Sequence, residues 1–164
     1  MKNNFYLKDL NNDAKYFLAG FLITMAIGIA IGLSYVYLTT EMTPIGINDQ
    51  FRGSEVLANE IPEKFPKPLE NMVLTTHNHL LSFSMITLLI GIIFYFNSII
   101  GGKSKLILLL EPFASSLLMF ASLWIMKFLY SGFVYLMIIS AICTYLCWYI
   151  MIFVSVYELL CKKD

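Results

Sequence analysis

Four apolar runs divide the chain, each long enough to cross a bilayer, with polar segments between them. The first covers residues 16 to about 39. The second starts near Pro68 and continues to about Ile100, and two more follow at about 106–129 and 133–159. At about 1.5 Å of rise per residue, each spans the roughly 30 Å of a hydrocarbon core. The second run is longer than a membrane requires. Its first two turns are expected among the headgroups, with Leu80 to Phe96 as its apolar core. The turns Gly101-Gly102-Lys103-Ser104-Lys105 and Tyr130-Ser131-Gly132 are short, so neighbouring helices should be antiparallel. The pattern predicts an all-α fold over a single domain, 1–164: an integral membrane four-helix bundle running up-down-up-down.

The segment 40–67 is polar enough to be an aqueous loop. Thr43-Pro44 has the form of an N-cap followed by proline at the first helical position, and Gly53 has the form of a stop. A short surface helix is therefore expected at about 44–52. Pro62, Pro66 and Pro68 then keep the chain extended.

Composition agrees with lipid as the solvent. The 164 residues are 59% hydrophobic and 13% charged, with a mean hydropathy of +0.74. A soluble domain carries about 25% charged residues. The net charge is zero and no basic block exists, which argues against nucleic acid as a partner. Cys143, Cys147 and Cys161 form neither a disulfide framework nor a C-x-x-C metal site. The first run follows a polar stretch with Asp9 and Asp13, and no small-residue cleavage site succeeds it. It reads as a retained helix.

Charge placement orients the bundle. Lys2, Lys8 and Lys15, the 103–105 turn and Lys162-Lys163 hold most of the lysines in short segments. The 40–67 loop is net acidic: Asp49, Glu55, Glu60 and Glu63 outnumber Arg52, Lys64 and Lys67. The positive-inside rule then places both termini in the cytoplasm and the loop outside.

The candidate chemistry begins with Thr75-Thr76-His77-Asn78-His79, which holds both histidines at the start of the second run. Two residues apart on a helix, they point about 200° apart, so one metal ion cannot easily take both. An intramembrane histidine is a functional candidate. Two readings stand side by side: a cofactor ligand, or an interfacial histidine that is satisfied locally, transfers protons or binds a partner. Haem b is the first cofactor to consider, since its iron takes one or two axial histidines. Arg52 and Lys127 would then neutralise the propionates, with Met126, Met42 or a histidine of another subunit as second ligand. A soft set of Met42, Met72, Met126 and a histidine would suit copper instead. Lys127 also fits a plain snorkelling lysine.

Glu111 stands in an apolar run with Leu106–Leu110 before it and Pro112 after it. It is either a proton or ion carrier or an acid that reaches back to Lys103 or Lys105 at the surface. Gly20, Thr24, Gly28 and Gly32 recur every fourth residue of the first helix. Such a stripe admits a close neighbour. A packing face inside one subunit is expected, with a homodimer or larger complex as the alternative. Cys143 and Cys147 read as small packing residues. No nucleophile–base pair, phosphate loop or metalloprotease motif occurs, which favours a non-catalytic protein.

The pieces Thr43-Pro44-Ile45-Gly46-Ile47, Phe51-Arg52-Gly53, Phe65-Pro66-Lys67 and Thr75-Thr76-His77-Asn78-His79 resemble an uncharacterised family of small four-helix bacterial membrane proteins. That resemblance implies a multi-pass protein of the bacterial inner (plasma) membrane. The second helix, with His77 or His79 followed by Met85, is distantly similar to the haem-ligating helix of haem-copper oxidase core subunits. The chain departs from that pattern in having no later histidine. The expectation is thus a small membrane protein binding haem b at His77 or His79, associated with a respiratory or redox system at the outer face. A cofactor-free assembly subunit and a proton or ion carrier using Glu111 are the alternatives.

Overall fold

A computed structural model of the chain describes residues 5–55 and 61–162. Lys2, Glu60 and Lys163, which entered the charge reading, lie outside the described residues. Among the described residues there are five α-helices: α1 (Asn12–Thr40), α2 (Pro44–Arg52), α3 (Leu69–Tyr95), α4 (Gly102–Phe128) and α5 (Val134–Leu160). Among the described residues there is no strand. Helices α1, α3, α4 and α5 are long and apolar enough to cross a membrane, and α2 is the short helix of the loop. The protein is an all-α, multi-pass membrane protein.

The helix limits follow from capping chemistry. Helix α1 starts four residues before the apolar run, because the Asn11 carboxamide accepts the Ala14 N–H at 2.9 Å. It ends where Glu41 and Met42 turn left-handed, both at φ 54°. Thr43 caps α2 by accepting the Gly46 N–H at 3.0 Å. Gly46 must be a glycine, since a Cβ there would overlap the Thr40 carbonyl. Helix α3 stops at Tyr95, short of the expected Ile100. The buried Asn97 stops it: its Oδ1 accepts the Ile99 and Ile100 N–H groups at 3.0 and 2.7 Å, offering the backbone a turn in place of helix. Helix α4 begins at Gly102 rather than near 106, so the lysines of the expected turn lie in its first turn.

Packing is tightest between α4 and α5, and α3 lies against both. Trp148 is the largest fully buried side chain. Its indole N–H donates to the Thr87 hydroxyl at 2.9 Å, tying α5 to α3. Trp124 repeats the device between α4 and α3 by donating to Thr76 at 2.9 Å. Buried indoles need such a partner, and in lipid there is no water to supply one. Helix α1 leans on α5 through Ala19, Leu22 and Ile29, and the Tyr149 hydroxyl donates to the Ala26 carbonyl at 3.2 Å. The glycine stripe does not take part. Gly20, Thr24, Gly28 and Gly32 are exposed, and a Cβ on any of the three glycines would meet nothing within 4 Å. The expected packing face inside the subunit is therefore on the opposite side of α1 from its neighbour. Larger side chains, not glycines, make the contact.

Candidate functional site

Two ends and a seam of the bundle hold its polar side chains. At the end carrying the 40–67 loop, Arg52 and Lys127 exchange places across two helix ends. The Arg52 guanidinium donates to the Met126 carbonyl at 2.6 Å and the Lys127 carbonyl at 3.3 Å, capping α4. The Lys127 ammonium donates to the Phe51 and Lys67 carbonyls, each at 2.6 Å, at the end of α2. Lys64 does the same for α1, donating to the Thr39 carbonyl at 2.9 Å. Cations belong at helix C-termini, where the last carbonyls lack helical donors and carry partial negative charge. Lys67 lies over the Phe51 ring, 5.0 Å from its centroid, and its burial lowers its pKa from the ordinary lysine value. The two residues expected to anchor propionates are thus occupied in closing the loop onto the bundle.

His77 and His79 are both exposed. They lie about 200° apart around α3 and do not converge. His79 Nδ1 donates to the Thr75 carbonyl at 2.8 Å. A carbonyl can only accept, so in the neutral ring the lone pair is on Nε2. The ring packs against Phe83 and Phe120, with centroids 5.9 Å away in each case. His77 makes no hydrogen bond among the described residues. Met72 and Met126 are fully buried while Met42 is exposed, so the soft set considered for copper is divided between core and surface. Among the described residues, no three of His, Cys, Asp and Glu are grouped as metal ligands.

The seam between α4 and α5 holds most of the buried polarity. Ser115 and Thr144 are both buried, and their hydroxyls meet at 2.6 Å. Their two protons serve three contacts: one bridges the pair, and the other goes to a backbone carbonyl 3.0 Å away, that of Glu111 from Ser115 or that of Ser140 from Thr144. The Cys147 thiol is a neighbour of the Glu111 carboxyl. Glu111 Oε2 is buried and has no partner. Lys105, one of the two lysines expected to reach Glu111, instead donates to the Tyr95 and Asn97 carbonyls at 3.0 and 2.7 Å, while Lys103 is exposed. Pro112 follows inside the helix. Lacking an N–H, it leaves the Leu108 carbonyl without its usual donor. Glu111 is nine residues from Phe120, the α4 residue that His79 touches, or about 13 Å along the axis. That is less than half of the roughly 30 Å hydrocarbon core, because His79 sits a turn below the Trp124–Thr76 bond rather than at the rim.

Sequence reasoning singled out Glu111 but missed Glu158, Ser155 and Ser122, all buried here. A signal existed. Ser140, Thr144, Cys147, Ser155 and Glu158 recur at helical spacing in a run otherwise rich in large apolar residues. Glu158 was hidden by its place at the end of that run, where an acid ordinarily meets water.

No curated protein and no solved structure matches the chain. The model of a transmembrane helical domain family matches residues 41–164, beginning at the residue after α1 ends. With α2 to α5 all inside that match, the chain belongs to this family of transmembrane helical domains.

Proposed function

We propose that this protein is a membrane proton carrier in which Glu111 takes up and releases the proton within the bilayer. The observation behind the reading is the Glu111 carboxyl: one oxygen is buried at the α4–α5 seam with no partner, about 13 Å from the start of α4. An acid inside a transmembrane helix is unfavourable, by up to about 2.5–3.5 kcal/mol at the helix centre on insertion scales, so an unsatisfied one calls for a use. Its surroundings favour a proton over a metal cation. A hard cation needs several oxygen ligands, whereas Ser115 and Thr144 direct their hydroxyls to each other and to a backbone carbonyl. A proton needs one acceptor at a time, and Cys147 lies beside the carboxyl. The donor missing at Pro112 gives α4 a place to bend next to Glu111.

The test is proton flux into proteoliposomes containing a pH dye, driven by a valinomycin-induced potassium diffusion potential. Wild-type vesicles are expected to acidify faster than empty ones. Glu111→Gln is expected to return the rate to that of empty vesicles without changing elution in detergent. Wild-type vesicles no faster than empty ones would sink the reading.

A second reading, haem b ligation at His79 within a respiratory or redox system, rests on a separate observation. The Nδ1 bond to the Thr75 carbonyl leaves Nε2 able to ligate, the usual arrangement behind a ligating histidine. With Arg52 and Lys127 bound to helix ends, the second axial ligand and the propionate partners would come from another chain. Oxidised and reduced absorption spectra decide it. A Soret band lost in His79→Ala supports it, and a colourless preparation removes it.

A further inference from the structure

A second carboxyl lies wholly inside the bundle, at the end that carries the Gly101 turn. Glu158 is 0% exposed. Its Oε2 accepts the Ser98 N–H at 2.7 Å, and its Oε1 has no partner. Ser155, nearly one turn closer to the membrane centre, is also 0% exposed, and its hydroxyl is likewise unpartnered. Two further bonds close this end around Ser98, the residue Glu158 accepts from. Lys162 Nζ donates to the Ser98 hydroxyl at 2.9 Å, and the Leu7 N–H donates to the Phe96 carbonyl at 2.9 Å.

Glu158 shares one face of α5 with the groups around Glu111. Ser140, Thr144, Cys147, Met151, Ser155 and Glu158 follow at steps of four, three, four, four and three residues, and all six are buried. On a helix that is a single stripe. Glu111, Ser115 and Ser122 form the matching stripe on α4 by the same spacing. Among the described residues, five buried side-chain atoms lack a partner, and four belong to these stripes: Glu111 Oε2, Ser122 Oγ, Ser155 Oγ and Glu158 Oε1. Buried polar groups are ordinarily satisfied, so this concentration marks the stripes as more than packing. Met151, fully buried, is the one apolar member of the α5 stripe, and it separates Ser155 from Cys147. Methionine is unbranched and flexible, so it can move aside without breaking a bond.

Resting on the assignment of Glu111 as a proton carrier, we infer that Glu158 is a second proton station on the same path, exchanging with water at the Lys162 end, and that Met151 is the plug between the two. The transfer balances without a redox partner. A hydronium ion at the Lys162 end gives its proton to the Glu158 carboxylate and leaves as water. Cys147, beside Glu111, is eleven residues from Glu158 on α5, or about 16 Å, so a file of waters is needed. When Met151 moves, the O–H bond at Glu158 breaks as one forms on the first admitted water. Each water passes on one proton as it receives one, and the last protonates the Glu111 carboxylate. The waters are regenerated and no electrons move. A purely structural Glu158 would need only the oxygen that accepts from Ser98.

The same proteoliposome assay separates these roles. Glu158→Gln keeps an oxygen for the Ser98 N–H but cannot carry a proton as a carboxyl does. Flux is expected to fall several-fold, with elution and thermal stability unchanged. Met151→Ser is expected to raise flux, and it carries the test should Glu158→Gln fail to fold. If Glu111→Gln abolishes flux while Glu158→Gln runs at the wild-type rate, or Met151→Ser leaves the rate unaltered, the second station or the plug is overturned and Glu111 stands. If wild-type vesicles show no flux, both assignments fall.

Discussion

The helix before the family match and the helix that closes it are alike in length, 29 residues in α1 and 27 in α5. Both are apolar. Yet α1 turns its small residues outward, and α5 turns its small and polar residues inward. On α1 the stripe Gly20–Thr24–Gly28–Gly32 is uncovered, and the Thr24 hydroxyl is satisfied within its own helix by the Gly20 carbonyl at 2.9 Å. On α5 the stripe from Ser140 to Glu158 is buried, and two of its oxygens, Ser155 Oγ and Glu158 Oε1, have no partner. The difference teaches that small residues in a transmembrane helix do not reveal which face is covered. Lipid tails cover a glycine stripe as readily as a neighbouring helix does. Ionisable groups are more informative, because lipid rejects them.

The largest test of this contrast is Glu111→Gln, which should abolish flux, whereas Thr24→Val on α1 should leave it unchanged in the same vesicles. A loss in both would mean that α1 belongs to the path. Next is a pair of equal substitutions. A Cβ on Gly91 of α3 would come to 3.3 Å from Leu109 Cδ2, so Gly91→Leu should lower stability by about 1–3 kcal/mol through overpacking. Gly28→Leu should stay within about 0.5 kcal/mol. Thermal unfolding in detergent measures both, and a matching loss at Gly28 would show that the α1 stripe is covered after all. Arg52→Ala comes third. It removes the cap on α4 and should lower stability by about 1 kcal/mol, read from the same melts. Ser115→Ala follows, at about 0.6 kcal/mol, the average for a hydrogen bond between transmembrane helices. A double-mutant cycle with Thr144→Val would isolate it.

The smallest effect concerns Lys67. Burial lowers its pKa from 10.5, so the folded protein binds this proton less well than the unfolded chain does. The resulting destabilisation is present in full below the folded value. It fades as pH rises from there towards 10.5 and is gone above it. Wild type should therefore gain stability over Lys67→Gln as pH rises through that window. A difference that does not change with pH would remove burial as the cause.

Much of this architecture was legible in order along the chain. The four apolar runs, the acidic loop and the Thr43-Pro44 start of α2 are local signals, because length, hydropathy and capping depend on neighbours in sequence. The end of α3 was not legible, since Asn97 stops it through side-chain bonds to a turn that exists only once formed. The site divides in the same way. Glu111 could be singled out because an acid between Leu106–Leu110 and Pro112 is conspicuous. Arg52 and Lys127 were given to a cofactor because only the fold sets each beside the other's helix end.

By itself, the sequence determined that the chain belongs in lipid and how many times it can cross, because hydrophobic transfer sums over residues without regard to their partners. Which face of each helix is covered was decided by the tertiary structure alone. In lipid, the apolar residues of a helix are at home on either side, so hydropathy cannot choose between them. The choice comes from packing shape and from bonds such as Trp148 to Thr87 and Ser115 to Thr144, which join residues 61 and 29 positions apart.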